Sequence, residues 1–181
     1  MRPVSRIYGR AAPYLNSNVD TDQIVPGRFM SRDRRDGFGD TLFHDLRLDE
    51  NGDERADFVL NQSEYRNPTV LVAGQNFGCG SSRECAVWAL LDHGIGCVIA
   101  ISFSDIFQNN ALENGFLTVV LPAKAVVELQ GSVRDAAPCE IAVDLETQSV
   151  TGPAGTTYTF DFDPHAKRNL LKGLTKIDAT L

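Results

Sequence analysis

A glycine-rich segment at residues 76–84, Asn-Phe-Gly-Cys-Gly-Ser-Ser-Arg-Glu, constrains the fold of this chain more than any other feature. It follows an apolar run at 69–73 with the composition of a strand, and it precedes a helical pattern of apolar residues at 86–91. The free N–H groups and the dipole of a helix N-terminus favour negative charge. A strand, a glycine turn and a helix in this order therefore predict a site for a carboxylate or a phosphate.

Two kinds of residue in this turn support a ligand site. Gly78 and Gly80 allow the backbone to approach a ligand closely, and Arg83 offers the forked donor that matches a carboxylate. A purely structural interpretation is also open, because Ser81 and Glu84 have the spacing of a capping box. In that arrangement the serine would cap the helix instead of acting on a ligand.

The rest of the pattern predicts an α/β fold with parallel βαβ units. Strands are predicted at 5–8, 69–73, 97–101 and 116–121, and helices at about 82–93, from Ser104 to Asn114, and after Pro122. Because strands and helices alternate, the strands are expected to be parallel with right-handed crossovers. Later alternation predicts a late β-hairpin closed over 152–155, then a helix at 164–172 ending at Gly173. The whole chain, 1–181, is predicted to be a single domain.

Composition argues against several classes of function. A net charge of −7 makes nucleic acid an unexpected partner. No run approaches the roughly 20 apolar residues of a membrane span, so no membrane partner and a cytoplasmic location are expected. The four cysteines, at 79, 85, 97 and 139, lack the spacing of zinc, cluster or redox motifs. No metal is expected on this chain, and His93, in the last turn of its helix, is expected to be structural.

Residues 77–84, Phe-Gly-Cys-Gly-Ser-Ser-Arg-Glu, resemble the active-site motif of the swivelling domain in the aconitase superfamily. More narrowly, the chain resembles the small-subunit family of bacterial 3-isopropylmalate dehydratase (isopropylmalate isomerase). The resemblance covers nearly the whole chain in the same order. Its other supporting segments are 18–26, 37–43, 86–90, 102–107 and 170–174.

The resemblance implies a fold, a partner and a reaction. The family fold is a three-layer β/β/α swivelling domain. In the family, a large subunit holds a [4Fe–4S] cluster that binds the substrate, and the small subunit closes over it in a heterodimer or heterotetramer. The reaction is dehydration of 2-isopropylmalate to isopropylmaleate and rehydration to 3-isopropylmalate, a step of leucine biosynthesis. The chain is then expected to be inactive alone and to borrow its cluster.

Carried onto this sequence, the resemblance implies a role for each residue of the turn. Ser81 is expected to be the base that removes and returns the proton, and Arg83 to stabilise the alkoxide and to clamp a substrate carboxylate. Gly80 and Ser82 are expected to shape the substrate-binding turn. Asp20 and Asp22 match a family motif near the site and are possible site walls, with a role as turn and cap residues equally open.

Two departures from the family pattern bear on the substrate. Cys85 stands where relatives commonly have histidine, which is expected to alter hydrogen bonding around Glu84. The second departure lies in the 30–36 loop, which in relatives selects the substituent on the malate. Relatives typically read Val-Thr-Arg-Thr where this chain reads Asp-Arg-Arg-Asp at 33–36, and Arg35 keeps the matching arginine as a candidate substrate contact.

Asp33 leaves the choice of substrate open. A carboxylate buried unpaired against an isopropyl group would be costly, whereas a pair with Arg34 or Arg32 is expected to turn it outward. One alternative function is therefore the small subunit of a related hydro-lyase that acts on another substituted malate. Another is a stand-alone anion-binding or regulatory module that has lost catalysis.

Overall fold

The centre of the protein is a curved sheet of seven strands, in a computed structural model that describes residues 1–180. The strands lie in the order β4-β3-β2-β1-β5-β6-β7. They are β1 Arg6–Pro13, β2 Val70–Val72, β3 Cys97–Ala100, β4 Leu117–Val120, β5 Glu140–Asp144, β6 Ser149–Thr151 and β7 Thr157–Thr159. The first four are parallel to one another, and β5, β6 and β7 continue the sheet antiparallel. The predicted parallel units are thus confirmed.

Strand β1 joins the two halves of the sheet. Residues 11–13 pair with the parallel strand β2, and residues 6–10 pair with the antiparallel strand β5. The apolar end is buried, with Ala11 and Ala12 fully enclosed, while the polar end is largely open to solvent. The sequence predicted this strand only at 5–8, which is too short. The buried half of β1 was missed because it carries small residues with no alternating pattern.

Seven helices and four 3-10 turns surround the sheet within residues 1–180. The helices are α1 Thr21–Ile24, α2 His44–Arg47, α3 Glu84–His93, α4 Asp105–Glu113, α5 Ala123–Ala136, α6 Pro164–Lys172 and α7 Lys176–Thr180. The 3-10 turns are Gly27–Phe29, Arg34–Asp36, Gly39–Thr41 and Val59–Asn61. Several predicted ends are confirmed: Ser104 caps α4 by accepting from the N–H of Phe107, and Gly94 and Gly173 end α3 and α6 in the left-handed conformation.

The predicted late hairpin is a three-stranded meander. The turn over residues 152–155 joins β6 to β7, and a separate turn joins β5 to β6. The prediction missed β6, because Ser149, Val150 and Thr151 are too few to show an alternating pattern. Phe160 and Phe162, which continue the alternating pattern that predicted the hairpin, lie beyond β7.

The four parallel strands end at one edge of the sheet, which positions the functional residues. Strands β2 and β3 are buried at every residue, so ligands can reach them only at their ends. The carboxyl ends of the four parallel strands lead into the segments that begin near Leu15, Gly74, Ser102 and Leu121. A crevice outside the carboxyl ends of parallel strands is a common place for ligands in α/β proteins. Among residues 1–180 there is no helix of the length and apolar character needed to cross a membrane.

Candidate active site

The glycine turn leaves β2 at this edge in a conformation that glycine is needed to adopt. Gly78 and Gly80 have φ values of 79° and 89°. Gly78 also lies in tight contact, since an added Cβ would fall 2.3 Å from a ring carbon of Phe107. The hydroxyl of Ser104 donates to the carbonyl of Gly78 at 2.8 Å. Packing and hydrogen bonding together hold the turn against the start of α4.

A second segment, residues 18–21, runs beside the turn, and we call it the strap. Four hydrogen bonds join the two segments, three with their donors in the strap and one with its donor in the turn. They are Asn18 N–H to Gln75 O at 2.8 Å, Gly78 N–H to Val19 O at 2.8 Å, Thr21 N–H to Cys79 O at 2.9 Å, and Thr21 Oγ1 to Ser81 O at 2.7 Å. The side chain of Asn76 also donates to that of Asn18 at 3.1 Å. The strap thus fixes the backbone of the turn up to Ser81.

Ser81 and Ser82 are both exposed at the end of the turn. Helix α3 begins at Glu84, and its N-cap is Arg83, which makes no side-chain capping bond. The carboxylate of Glu84 instead accepts from the side chain of Asn114 at 2.9 Å, so the capping box with Ser81 is not formed. Ser81 is held through its backbone carbonyl, and its hydroxyl makes no hydrogen bond within residues 1–180. The hydroxyl is therefore free to meet a ligand.

Arg83 is the anchored cation of the site, with only 15% of its side chain exposed. Its Nη1 donates to the carboxylate of Asp22 and to the carbonyl of Val25, the latter at 3.1 Å. Its Nε is buried and has no partner within the described part of the chain. The edge formed by Nε and Nη2 is one of the two edges with which arginine binds carboxylates in parallel pairs. In Arg83 this edge has no hydrogen-bond partner among residues 1–180.

Asp20 and Asp22 lie beside the turn but differ in role. Asp20 is the N-cap of α1 and forms a capping box with Gln23, so its role as a cap residue is confirmed. Asp22 accepts from Arg83 and from the N–H of Gly27, the latter at 3.0 Å. These contacts, the Arg83 bond first, hold the pKa of Asp22 below its usual value. Asp22 orients the guanidinium and stays ionised at neutral pH.

Arg35 is not brought to this site. Its guanidinium pairs with Asp33 at 2.9 Å and is 89% exposed. The neighbouring segment is fastened to the far end of α3, where the carboxylate of Asp92 accepts from Arg34 at 2.6 Å and from the N–H of Phe38 at 2.8 Å. Asp92 lies eight residues beyond Glu84, or about 12 Å along the helix axis.

The predicted partners of Asp33 were wrong. Arg34 pairs with Asp92, and Arg32 pairs with Asp40, so Asp33 takes Arg35. The expected outward orientation is nevertheless observed, because 47% of the Asp33 side chain is exposed. The reason for the swap is local: Asp33 caps the 3-10 turn at 34–36 by accepting from the N–H of Arg35.

Two cysteines and one histidine have structural roles. Cys85 is buried in the core, and desolvation raises its pKa; the pKa of Cys97, enclosed in β3, is raised for the same reason. His93 lies with its Nδ1 3.2 Å from the carbonyl oxygen of Gly39, and burial lowers its pKa. The structural role predicted for His93 is thereby confirmed. No cluster of three or more His, Cys, Asp or Glu side chains in residues 1–180 is arranged to hold a metal ion.

Two residues that hold these segments in place were not singled out from the sequence. Thr21 is buried and bonds to Ser81, and Asp92 anchors the loop that carries Arg35. Thr21 lies between two acidic residues in a polar run, which gives no sign of burial. Asp92 occupies an ordinary solvent-facing position of a helix, and its partners are more than fifty residues away.

Comparison with known proteins identifies the family. The profile described as Aconitase C-terminal domain matches residues 1–124, and one described as LeuD_N matches residues 128–164. The chain is 49% identical to the 3-isopropylmalate dehydratase small subunits of Parvibaculum lavamentivorans and Phenylobacterium zucineum. These matches cover all of this chain and 90% and 89% of the two relatives. The chain belongs to the family of 3-isopropylmalate dehydratase small subunits.

A solved structure agrees with this family assignment. The crystal structure of 3-isopropylmalate dehydratase from Methanocaldococcus jannaschii superimposes with a TM-score of 0.71 at 27% identity. The match covers 97% of this chain and 93% of that one. The resemblance stated from residues 77–84 is confirmed, and so is the aconitase-type α/β fold class.

Proposed function

We propose that this chain is the small subunit of an enzyme that isomerises 2-isopropylmalate to 3-isopropylmalate with a cluster-bearing large subunit. The intermediate is isopropylmaleate, and the reaction belongs to leucine biosynthesis, which implies a cytoplasmic location. One observation carries the proposal: the exposed hydroxyl of Ser81 and the anchored guanidinium of Arg83 flank the start of α3. The names of the relatives supply the substrate class.

Ser81 acts as the base in this proposal. In the first step it takes a proton from the methylene carbon of 2-isopropylmalate, and the C–H electron pair becomes the double bond as hydroxide departs from the neighbouring carbon. In the second step the protonated Ser81 gives its proton to the carbon that lost hydroxide, and hydroxide adds to the former methylene carbon. A serine oxygen can serve in this way only if its alkoxide is stabilised. The start of α3, which has no side-chain cap, and the charge of Arg83 supply that stabilisation.

Arg83 also binds a substrate carboxylate. The Asp22 and Val25 contacts occupy Nη1 and leave the Nε–Nη2 edge without a protein partner in residues 1–180. This edge forms parallel hydrogen bonds with a carboxylate, which fixes the orientation of the substrate. Gly80 and Ser82 complete the binding turn because both are exposed beside Ser81. Arg35 reaches the substrate in a rearranged loop, in which it exchanges the carboxylate of Asp33 for that of the substrate.

The residues of this chain do not fit a [4Fe–4S] cluster. Cys97 is enclosed in β3, Cys85 is in the core, and no potential metal-holding group is found among the described residues. We therefore assign the cluster to the large subunit. When bound there, it supplies the Lewis acid that helps hydroxide to depart. This chain supplies the base and the carboxylate clamp.

The apolar surface around the site supports a protein partner. Leu15, Ile106 and Val120 are 53%, 50% and 42% exposed. Leu15 and Val120 lie at or just beyond the carboxyl ends of β1 and β4, and Ile106 lies in the first turn of α4, which follows β3. Large apolar side chains exposed around a site are typical of a surface that another protein covers. We propose that the large subunit docks on this edge in a heterodimer or heterotetramer.

The choice of isopropylmalate over another substituted malate is supported by the position of the two departures. Asp33 is turned outward, with 47% of its side chain exposed, and caps the 3-10 turn at 34–36, so it does not place a carboxylate against an alkyl group. Cys85 is enclosed in the core and does not line the turn. Neither residue therefore gives a reason to reject an isopropyl substituent.

Reconstitution with a large subunit of the same enzyme family tests the proposal. The two chains are expressed together without oxygen, and absorbance of the unsaturated intermediate is followed from a series of 2-alkylmalates. We expect isopropylmalate to be preferred and Ser81→Ala to lower turnover by roughly 10²- to 10⁴-fold. Ser63→Ala, on an exposed serine outside the turn, is the matched control and is expected to keep full activity. A loaded complex that prefers another malate refutes the substrate, and an active Ser81→Ala complex refutes the base.

A further inference from the structure

Thr21 holds the glycine turn on both sides of Gly80. It is only 3% exposed, and its hydroxyl donates to the carbonyl of Ser81 at 2.7 Å. Its backbone N–H donates to the carbonyl of Cys79 at 2.9 Å. A single residue of the strap therefore restrains the peptide group before Gly80 and the peptide group after Ser81.

The restraint matters because Gly80 has unusual freedom. Its φ of 89° lies in a region that glycine enters easily, and its neighbours Ser81 and Ser82 are exposed. The direction of the Ser81 side chain depends on the orientation of its own peptide groups. Of the strap's hydrogen bonds to the turn, the one from Thr21 Oγ1 reaches furthest along it, and it is made by a side chain.

We propose that Thr21 is a positioning residue for proton transfer, in addition to its place in the fold. Its hydroxyl holds the Ser81 carbonyl and so keeps the Ser81 oxygen in line with the carbon that loses its proton. The inference rests on the proposed role of Ser81 as the base. Loss of the hydroxyl leaves the three backbone bonds between strap and turn in place, so the turn is expected to persist while Ser81 becomes less well aligned.

Thr21→Val, which keeps the shape and removes the hydroxyl, is the decisive variant. It is studied in the reconstituted complex, with turnover expressed per cluster-containing complex. We expect kcat to fall by roughly 10- to 100-fold, since small misplacements of reacting groups cost that much, with KM changed less than about twofold. With substrate deuterated at the methylene carbon, the isotope effect on kcat is expected to rise, because proton removal becomes more rate-limiting. Thr21→Ser restores the hydroxyl and is expected to restore both kcat and the isotope effect to their wild-type values.

Thr41→Val is the matched control. Thr41 is also buried, and its hydroxyl donates to the carbonyl of Phe38 at 2.6 Å, but Phe38 is fastened to the far end of α3. We expect it to lower Tm about as much as Thr21→Val does while leaving kcat and the isotope effect unchanged. A Thr21→Val complex with the wild-type isotope effect overturns the proposal, even if it is less stable. A wild-type complex without activity on 2-isopropylmalate overturns the proposed function instead.

Discussion

The strap and the arginine-rich loop at 28–36 both border α3, but different forces hold them. The strap is joined to the turn by backbone hydrogen bonds and by one buried hydroxyl. The arginine-rich loop is held largely by ion pairs in which at least one side chain is exposed. These are Arg28–Asp45, Arg32–Asp40, Arg34–Asp92 and Arg35–Asp33.

The difference indicates which part of the site is fixed before a substrate arrives. Exposed ion pairs contribute little stability and exchange partners easily, whereas buried hydrogen bonds to the backbone are costly to break. The base and its arginine therefore lie on the rigid side. The loop that carries Arg35 lies on the side that can change partners, as closure around a substrate would require.

Gly78→Ala is expected to have the largest effect on stability. The new methyl group would meet the ring of Phe107 at 2.3 Å in a backbone with φ of 79°. Overpacking and the left-handed conformation together predict a loss of about 2–4 kcal/mol in the free energy of unfolding, measured with urea. Gly52→Ala is the control, because Gly52 has φ of 81° but nothing within 4 Å, and a loss of about 1 kcal/mol is expected. Equal losses would show that contact with Phe107 does not restrain the turn.

Arg83→Lys is expected to have the next largest effect on stability. A lysine cannot satisfy both Asp22 and Val25 while leaving a forked edge for a carboxylate. We expect a loss of about 1–3 kcal/mol in the free energy of unfolding and a clear fall in turnover of the reconstituted complex. Arg35→Lys, on the exposed loop, is the comparison and is expected to leave urea stability unchanged. If both variants were equally stable, the contrast between strap and loop would be wrong.

As the pH is lowered, the arginine-rich loop is expected to lose stability at a higher pH than the strap. Hydrogen bonds from arginine, the largest cause in each case, hold four aspartate pKa values below their usual range: Asp22, Asp33, Asp40 and Asp45. Because these folded-state pKa values lie below the unfolded ones, the stabilisation is complete above about pH 4 and is lost as pH falls through the folded values. Urea unfolding at pH 6, 4.5 and 3.5 is expected to show the fall only below pH 4.

Hydrogen exchange locates that loss. Three of the four carboxylates pair with arginines of the loop, so the loop amides are expected to lose protection at a higher pH than those of Thr21 and Gly78. The variant Asp40→Asn should make the fall in loop protection shallower. If the amides of the loop and of the strap lost protection at the same pH, the proposed difference in rigidity between the two segments would be wrong.

Asp33→Asn is expected to have the smallest effect. The pair with Arg35 is exposed, so urea stability should not change measurably, but Arg35 is released from its competitor. We expect KM for 2-isopropylmalate to fall by roughly twofold to fivefold in the reconstituted complex. Asp36→Asn is the matched control, since Asp36 is exposed and forms no ion pair within the described chain. A change in KM shared by both variants would point to net charge instead of the pair.

Local signals in the sequence were enough for the central helices and for most of the turn. Ser104, Gly94 and Gly173 mark helix ends through bonds that span only a few residues, so they could be recognised without the fold. Helix α3 begins two residues later than predicted because Arg83 adopts an extended φ of −138°. In that conformation its side chain reaches Asp22, a partner far away in sequence.

By itself, the sequence determined the family, the parallel units and the turn that presents Ser81 and Arg83. Only the tertiary structure decided the division of β1 between two half-sheets, the placement of Thr21 under Ser81, and the pairing of Asp33 with Arg35. The physical reason is how far apart in sequence the interacting residues lie. Helix caps and glycine turns are set by neighbours along the chain, whereas strand register and the choice of ion-pair partner depend on which residues the fold brings together.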